Sequence, residues 1–414
     1  MPTAYAIRRS YVGGRTEINH VSLFTAGFLA YWMLPVGAVL LLGSQIQDIV
    51  GSDLINMYLR IDNIGKYLII CEVIYLSFLA GDLLGRKQII RPLGKIKPIS
   101  ESILYLFSVA GAMIAAFAIF QARGVLFGGA YGLDPDLKAG AVSASCVFLI
   151  IPAIINAIQT RPDTLKQLFF NRYMILFWPV NLCLILSGGR LYFISFMLML
   201  LIYWTYFVGR LRVARIALFF IALLALMGLV GAYRLGGGSV NGIAANLLTE
   251  PMFTSFSLVS FLGLHKFYLW NYPTYLGGDL INLIPSAILP GKVALMSQMK
   301  DIYSPLGAFN SFVSFQYNFG VIGTMIFMFA LGYLLSRFRR RANLWSNVAY
   351  ILISGWLPFT FFRDPFSVSL IKNILEFSII IPAVIIVTSR FVGWVVRSQS
   401  VLSVRSTDAA LISE

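Results

Sequence analysis

Three arginines and a small set of possible proton acceptors are the side chains in this sequence whose types and placement fit chemistry. Arg190 closes Ser187-Gly188-Gly189-Arg190, a tight turn between two apolar runs. Arg234 ends an apolar run and is followed by Leu235 and three glycines. Arg363 stands in Phe362-Arg363-Asp364-Pro365, where Asp364 reads as a helix N-cap and Pro365 as the first helical residue. A guanidinium is a planar fork that binds phosphate or diphosphate through two parallel hydrogen bonds. A helix N-terminus adds to the attraction for an anion. Glu250, His265 and Asp279, and after them Asp364, are the groups that fit the removal of a hydroxyl proton. Each also has a plain reading. Asp279 follows Gly277-Gly278 as an N-cap would, and His265 sits beside Lys266 as a surface residue would. Glu250 precedes Pro251 and an apolar stretch, 252–264, that reads as a short re-entrant or interfacial helix. Sequence does not choose between them. Lys372 lies nine residues past Arg363, which is about 13 Å deeper along a helix. It either pairs with Glu376 on the same helix face or lines a polar cavity beneath Arg363.

Between these groups runs Phe267-Tyr268-Leu269-Trp270-Asn271-Tyr272-Pro273-Thr274-Tyr275. Tyr268, Trp270, Tyr272 and Tyr275 offer ring faces on which sugars stack, and they equally suit the aromatic belt at a membrane surface. Both roles can hold at once.

The elements that must position these residues are membrane helices. The chain has 414 residues, 58% hydrophobic and 12% charged, with a mean hydropathy of +0.81. Ten apolar runs are expected to span: about 21–43, 64–84, 101–121, 139–158, 173–187, 191–209, 216–233, 312–336, 344–362 and 366–389. Most of the 32 Lys and Arg fall in alternate connections and in both termini, which puts those segments in the cytoplasm. Arg190, Arg234 and Arg363 fall at the opposite ends, against that bias. The chain reads as one transmembrane domain, 1–414, with a long extracytoplasmic loop at 234–311 that carries the proposed active site.

The net charge of +15 is explained by these clusters and not by a nucleic-acid surface. Cys71, Cys146 and Cys183 all lie within apolar runs, so neither a disulfide framework nor a metal site is expected. His20 and His265 are too far apart to form a local metal motif. Neither lies mid-span, as a membrane acyltransferase would need. Arg8-Arg9 precedes a first run with no cleavage site, which reads as an uncleaved helix.

Five segments together give the chain its resemblance to a known group. They are the turn Gly188–Phe193 (GGRLYF), the segment Gly277–Lys292 (GGDLINLIPSAILPGK), the entry FNSFVSFQYNFGVIG, the turn Phe362–Phe366 (FRDPF) and the long loop itself. The chain resembles the Wzy-type oligosaccharide repeat-unit polymerases of O-antigen, capsule and exopolysaccharide synthesis. The resemblance implies a metal-independent glycosyltransferase of the GT-C type in the bacterial inner membrane, with no cofactor. Its substrate would be an oligosaccharide linked to undecaprenyl diphosphate, joined on the periplasmic face. A chain-length regulator and a flippase of the same pathway, besides membrane lipid, would be its partners. Arg190, Arg234 and Arg363, with Lys372 below, are the positions that fit diphosphate binding. Two other readings use the same lipid-linked sugars: a flippase, and an O-antigen ligase.

Overall fold

Apolar runs of membrane length leave the backbone no hydrogen-bond partner but itself, so they fold as helices. The computed structural model describes residues 11–12, 15–42, 61–86, 99–126, 139–186, 189–234, 240–264, 268–273, 276–281, 309–341 and 343–395, and a few single positions besides. In chain order these form strands β1 (Tyr11–Val12) and β2 (Arg15–Thr16). Helices α1 (His20–Leu42), α2 (Ile61–Gly85), α3 (Glu101–Leu126), α4 (Ala139–Thr160), α5 (Leu165–Phe169), α6 (Arg172–Leu186) and α7 (Arg190–Val208) follow. Then come β3 (Leu211–Arg212), α8 (Val213–Arg234), α9 (Val240–Leu264), α10 (Leu276–Ile281), α11 (Ser311–Arg340), α12 (Leu344–Trp356), α13 (Thr360–Arg363) and α14 (Ser367–Val395). The strands form one antiparallel ladder in the order β1-β2-β3.

The chain is therefore a helical, multi-pass membrane protein. Among the described residues six helices are long and apolar enough to cross a bilayer: α1, α2, α3, α7, α11 and α14. The other four expected spans coincide with α4, α6, α8 and α12. The apolar stretches of the first three are shorter, and α12 has only 13 residues. The expected ninth span is not one helix, because α12 stops ahead of Pro358 and the chain resumes helix only at Thr360. A second difference lies in the long loop. The short helix expected at 252–264 is the second half of α9, which runs from Val240 straight through Pro251. It packs against α1, α2, α8 and α11, and residues 254–260 are almost wholly buried.

The closest helix pair is α2 with α11. Gly81 and Gly85, four apart on α2, face Gly332 on α11. A Cβ at Gly81 would overlap the Phe329 carbonyl, and one at Gly332 the Phe78 carbonyl. One at Gly85 would stand 2.7 Å from Ser336 Cβ. Small residues allow backbones this close an approach inside a membrane, where dispersion replaces the hydrophobic drive.

The basic ends of the helices are tied by a buried charge cluster. Asp82, fully buried, lies 3.0 Å from His20 Nε2 and 2.9 Å from Arg86 Nη2, and accepts from the Tyr5 hydroxyl at 2.7 Å. The other ring nitrogen of His20 is 3.3 Å from the Tyr350 hydroxyl. Glu17 pairs with Arg339 beside it, and with Arg210 at 3.8 Å.

Substituting Gly332→Ala should cost about 1–3 kcal/mol by forcing α2 and α11 apart. Gly37→Ala, where a Cβ meets nothing within 4 Å, should be neutral or slightly stabilising. Thermal unfolding of both variants in detergent checks this. Equal midpoints would show that the close approach is not needed.

Candidate functional site

The site is built at the end of α7 away from that cluster. Arg190 is the first residue of α7, Arg363 the last of α13, and Glu250 sits within α9 just ahead of Pro251. Three separate chain segments thus meet on one carboxylate. Arg190 Nη2 donates to Glu250 Oε2 at 3.2 Å. Arg363 Nε stands 2.7 Å from Glu250 Oε1, but its N–H is not aimed along a hydrogen bond and has no other partner. Arg363 Nη1 reaches Asp364 Oδ1 at 3.4 Å, while Asp364 Oδ2 is buried without a hydrogen bond. The Glu250 side chain is 15% exposed and that of Arg363 33%, so the group is sheltered but not sealed from its surroundings.

Local structure explains how the Arg363 turn is held. Phe362 is buried against Phe24, Tyr31, Trp32 and Phe312, with Tyr31 stacked parallel to it at 6.2 Å. The entry to α11 supplies three polar ties. Asn310 donates its N–H to Ser257 of α9 at 2.8 Å. Ser311 donates to the Phe361 carbonyl. Ser314 accepts the N–H of Phe366 at 2.8 Å. The FNSFVS stretch therefore joins the helix carrying Glu250 to the turn carrying Arg363. Asp364 is extended and does not act as the expected N-cap, because Ser314 takes the N–H at the start of the next helix.

Beyond the turn, Ser367–Ile380 of α14 is π-helical. Bonds five residues apart re-phase its side chains. Ser378 Oγ donates to the Asn373 carbonyl at 2.7 Å, and Lys372 Nζ lies 5.6 Å over the Phe377 ring. Lys372 also acts electrostatically on Asp364, so it belongs to the same charged neighbourhood. Asn373 is fully buried beside Tyr192.

The aromatic run is fastened to a break in α11. Gly320 has φ 66°, which favours glycine. The two following N–H groups bond to carbonyls of the run: Val321 to Tyr268 at 3.2 Å and Ile322 to Leu269 at 3.0 Å. A Cβ at Gly320 would stand 2.8 Å from Trp270 Cα. Tyr268, Trp270 and Tyr272 are at least half exposed.

Of the residues expected to act, the structure brings together Arg190, Glu250 and Arg363, with Lys372 near. Arg234 ends α8 and Asp279 lies on α10, which packs on the π-helical part of α14. The side chains of both lie outside the described residues, as do His265 and Tyr275. The sequence reading missed Tyr31, which lies in the π-helical turn Leu29–Met33 of α1 and within the electrostatic field of Glu250, Arg363, Asp364 and Arg190. Nothing local in the sequence marks it. Among the described residues no His, Cys, Asp and Glu cluster fit for a metal occurs.

Burial pushes the Asp364 carboxyl up to about 6, with Glu250 adding to the rise and Arg363 and Lys372 opposing it. Burial works to lower the Arg363 guanidinium, but Glu250 and Asp364 outweigh it and its pKa is raised. Compared with known proteins, the chain matches no family model, no curated protein and no solved structure.

Two predictions follow from this geometry. A carboxyl whose folded pKa is raised stabilises fully only below its unfolded value and loses that stability as pH rises through the folded one. The gap in thermal midpoint between Asp364→Asn and wild type should therefore grow in the variant's favour as pH rises from about 4 to about 6, and level off above that. A gap independent of pH would remove the assignment. Gly320→Ala should cost about 1–3 kcal/mol from the positive-φ backbone alone, and should loosen the aromatic run, read as faster chymotryptic cleavage after Tyr268 and Trp270.

Proposed function

We propose that this protein polymerises lipid-diphosphate-linked oligosaccharide repeat units, on the face of the bacterial inner membrane away from the cytoplasm. The observation that carries the reading is the convergence of Arg190 and Arg363 on Glu250. Two guanidiniums on one sheltered group fit a diphosphate, which offers several acceptor oxygens to their forks. Glu250 occupies only part of each guanidinium fork, which leaves further N–H groups of Arg190 and Arg363 for the diphosphate oxygens.

In this mechanism the donor's diphosphate lies on Arg190 and Arg363, with Lys372 below. The bond from the donor's anomeric carbon to the diphosphate oxygen breaks, and the new bond forms to a hydroxyl of the acceptor unit. The guanidiniums stabilise the negative charge growing on the leaving diphosphate. Glu250 holds both arginines in register. A loop carboxylate or histidine, Asp279 or His265, takes the acceptor's proton. Tyr268, Trp270 and Tyr272 give the acceptor sugars an exposed platform whose backbone is fixed to α11.

The test uses purified protein in detergent with a synthetic lipid-diphosphate oligosaccharide, and product length read on a gel. A ladder of added units is expected. Arg190→Ala and Arg363→Ala should each slow it on the order of a hundred-fold, with partial recovery in the Lys variants. Glu250→Gln should impair it by freeing the arginines from their common anchor. Wild-type ladders from both Ala variants would defeat the assignment. A flippase forms no product in micelles, and a ligase given only lipid-linked units forms no ladder, so an empty gel from active protein would favour those readings.

A further inference from the structure

A cavity of about 550 Å³ opens between α5, the last turns of α7 and the start of α8. This is the end of α7 remote from Arg190; Trp204 is about 21 Å further along the helix axis. The walls are apolar, made by Leu168 and Phe169 from α5, Leu200, Leu201 and Trp204 from α7, and Phe219 from α8. The α5 wall is rigid, because Trp178 stacks on Phe169 at 5.9 Å and donates its indole N–H to the Phe169 carbonyl at 2.9 Å.

The mouth is basic. Arg210, Arg212 and Arg215 all line it and are all exposed. Arg210 lies 3.8 Å from Glu17. Among the described residues Arg212 and Arg215 have no carboxylate partner. The ladder pairs Arg212 with Arg15 in backbone register. These arginines begin where the apolar span Arg190–Val208 ends, the depth at which lipid headgroups lie.

An apolar slot ending in cations at headgroup depth has the chemistry of one amphiphile. We propose that this groove binds an anionic membrane phospholipid, with an acyl chain along α7 and the headgroup phosphate on Arg212 and Arg215. Arg210 closes the rim. The bound lipid anchors the connection between α7 and α8 at the surface on the side of the N-terminal segment. The inference stands apart from the polymerase reading, since it concerns the other end of α7 and a different ligand.

The test places the full chain in phosphatidylcholine vesicles containing a minor fraction of phosphatidylglycerol with brominated acyl chains. Bromine quenches tryptophan on contact, and the difference between wild type and Trp204→Phe isolates Trp204. Quenching of Trp204 by brominated phosphatidylglycerol should exceed that by brominated phosphatidylcholine at the same fraction, and the excess should fall as salt is raised. The preference should drop about five-fold for each arginine removed in the series R212Q, R212Q/R215Q and R210Q/R212Q/R215Q. Leu201→Phe, which fills the slot and spares the arginines, should lower quenching by both lipids. Equal quenching by the two lipids in wild type, or a preference that survives the triple variant, would overturn the proposal. So would a preference that emerges only after removal of residues 396–414, because the chain's own tail would then be the occupant.

Discussion

One sheltered carboxylate shared between two guanidiniums governs the architecture at the far end of the bundle. Glu250 cannot sit among apolar helices without cations, and Arg190 and Arg363 cannot stand there without an anion. The three come from α9, the start of α7 and the end of α13, so the pairing fixes where three elements meet. To deliver Glu250, α9 has to enter the bundle. It does so with a stripe of small hydroxyl residues, Thr254, Ser255, Ser257 and Ser260, all buried. Ser255 and Ser257 return their protons to carbonyls of their own helix at 2.8 Å, and Ser257 still accepts from Asn310. Polarity is thereby admitted to the interior with the Ser255 and Ser257 hydroxyls paired.

The breaks in the helices serve the same end. The π turn of α1 carries Tyr31 to the site, the gap before α13 sets Arg363 at a turn, and the π segment of α14 moves Lys372 over Phe377. Gly320 opens α11 so that two N–H groups are free for the aromatic run. Elsewhere helices pack closely, as α2 and the second half of α11 do through their glycines. Irregular backbone inside a membrane needs its polar groups paired within the protein, and here the pairs come from neighbouring chain segments.

The two ends of the bundle use charge differently. At the basic end Asp82 is enclosed by His20, Arg86 and Tyr5, which spends its hydrogen-bonding capacity on holding helices together. At the other end the Glu250 carboxylate keeps 15% of its side-chain surface exposed and Arg363 33%, whereas Asp82 has none. That difference in access is why the Glu250 group, and not the Asp82 group, is assigned a ligand.

The amino-acid sequence alone determined that this is a helical membrane protein, and where most helices lie, because the length of an apolar run and the basic residues that bound it are local properties. It also singled out Arg190, Glu250 and Arg363 by type and placement. It did not join them, since Glu250 is 60 residues from Arg190 and pairing over that distance depends on how helices pack. The full course of α9 was hidden for a related reason: Glu250, Pro251 and the serines lower its apolar signal, and only burial against α1, α2 and α11 makes it a helix of the interior. The role of Asp364 reversed for the same cause, with Ser314 of another helix taking the N–H that the local pattern had reserved for it. Tertiary structure thus decided which charges meet, because attraction between groups distant in the chain leaves no trace in local spacing.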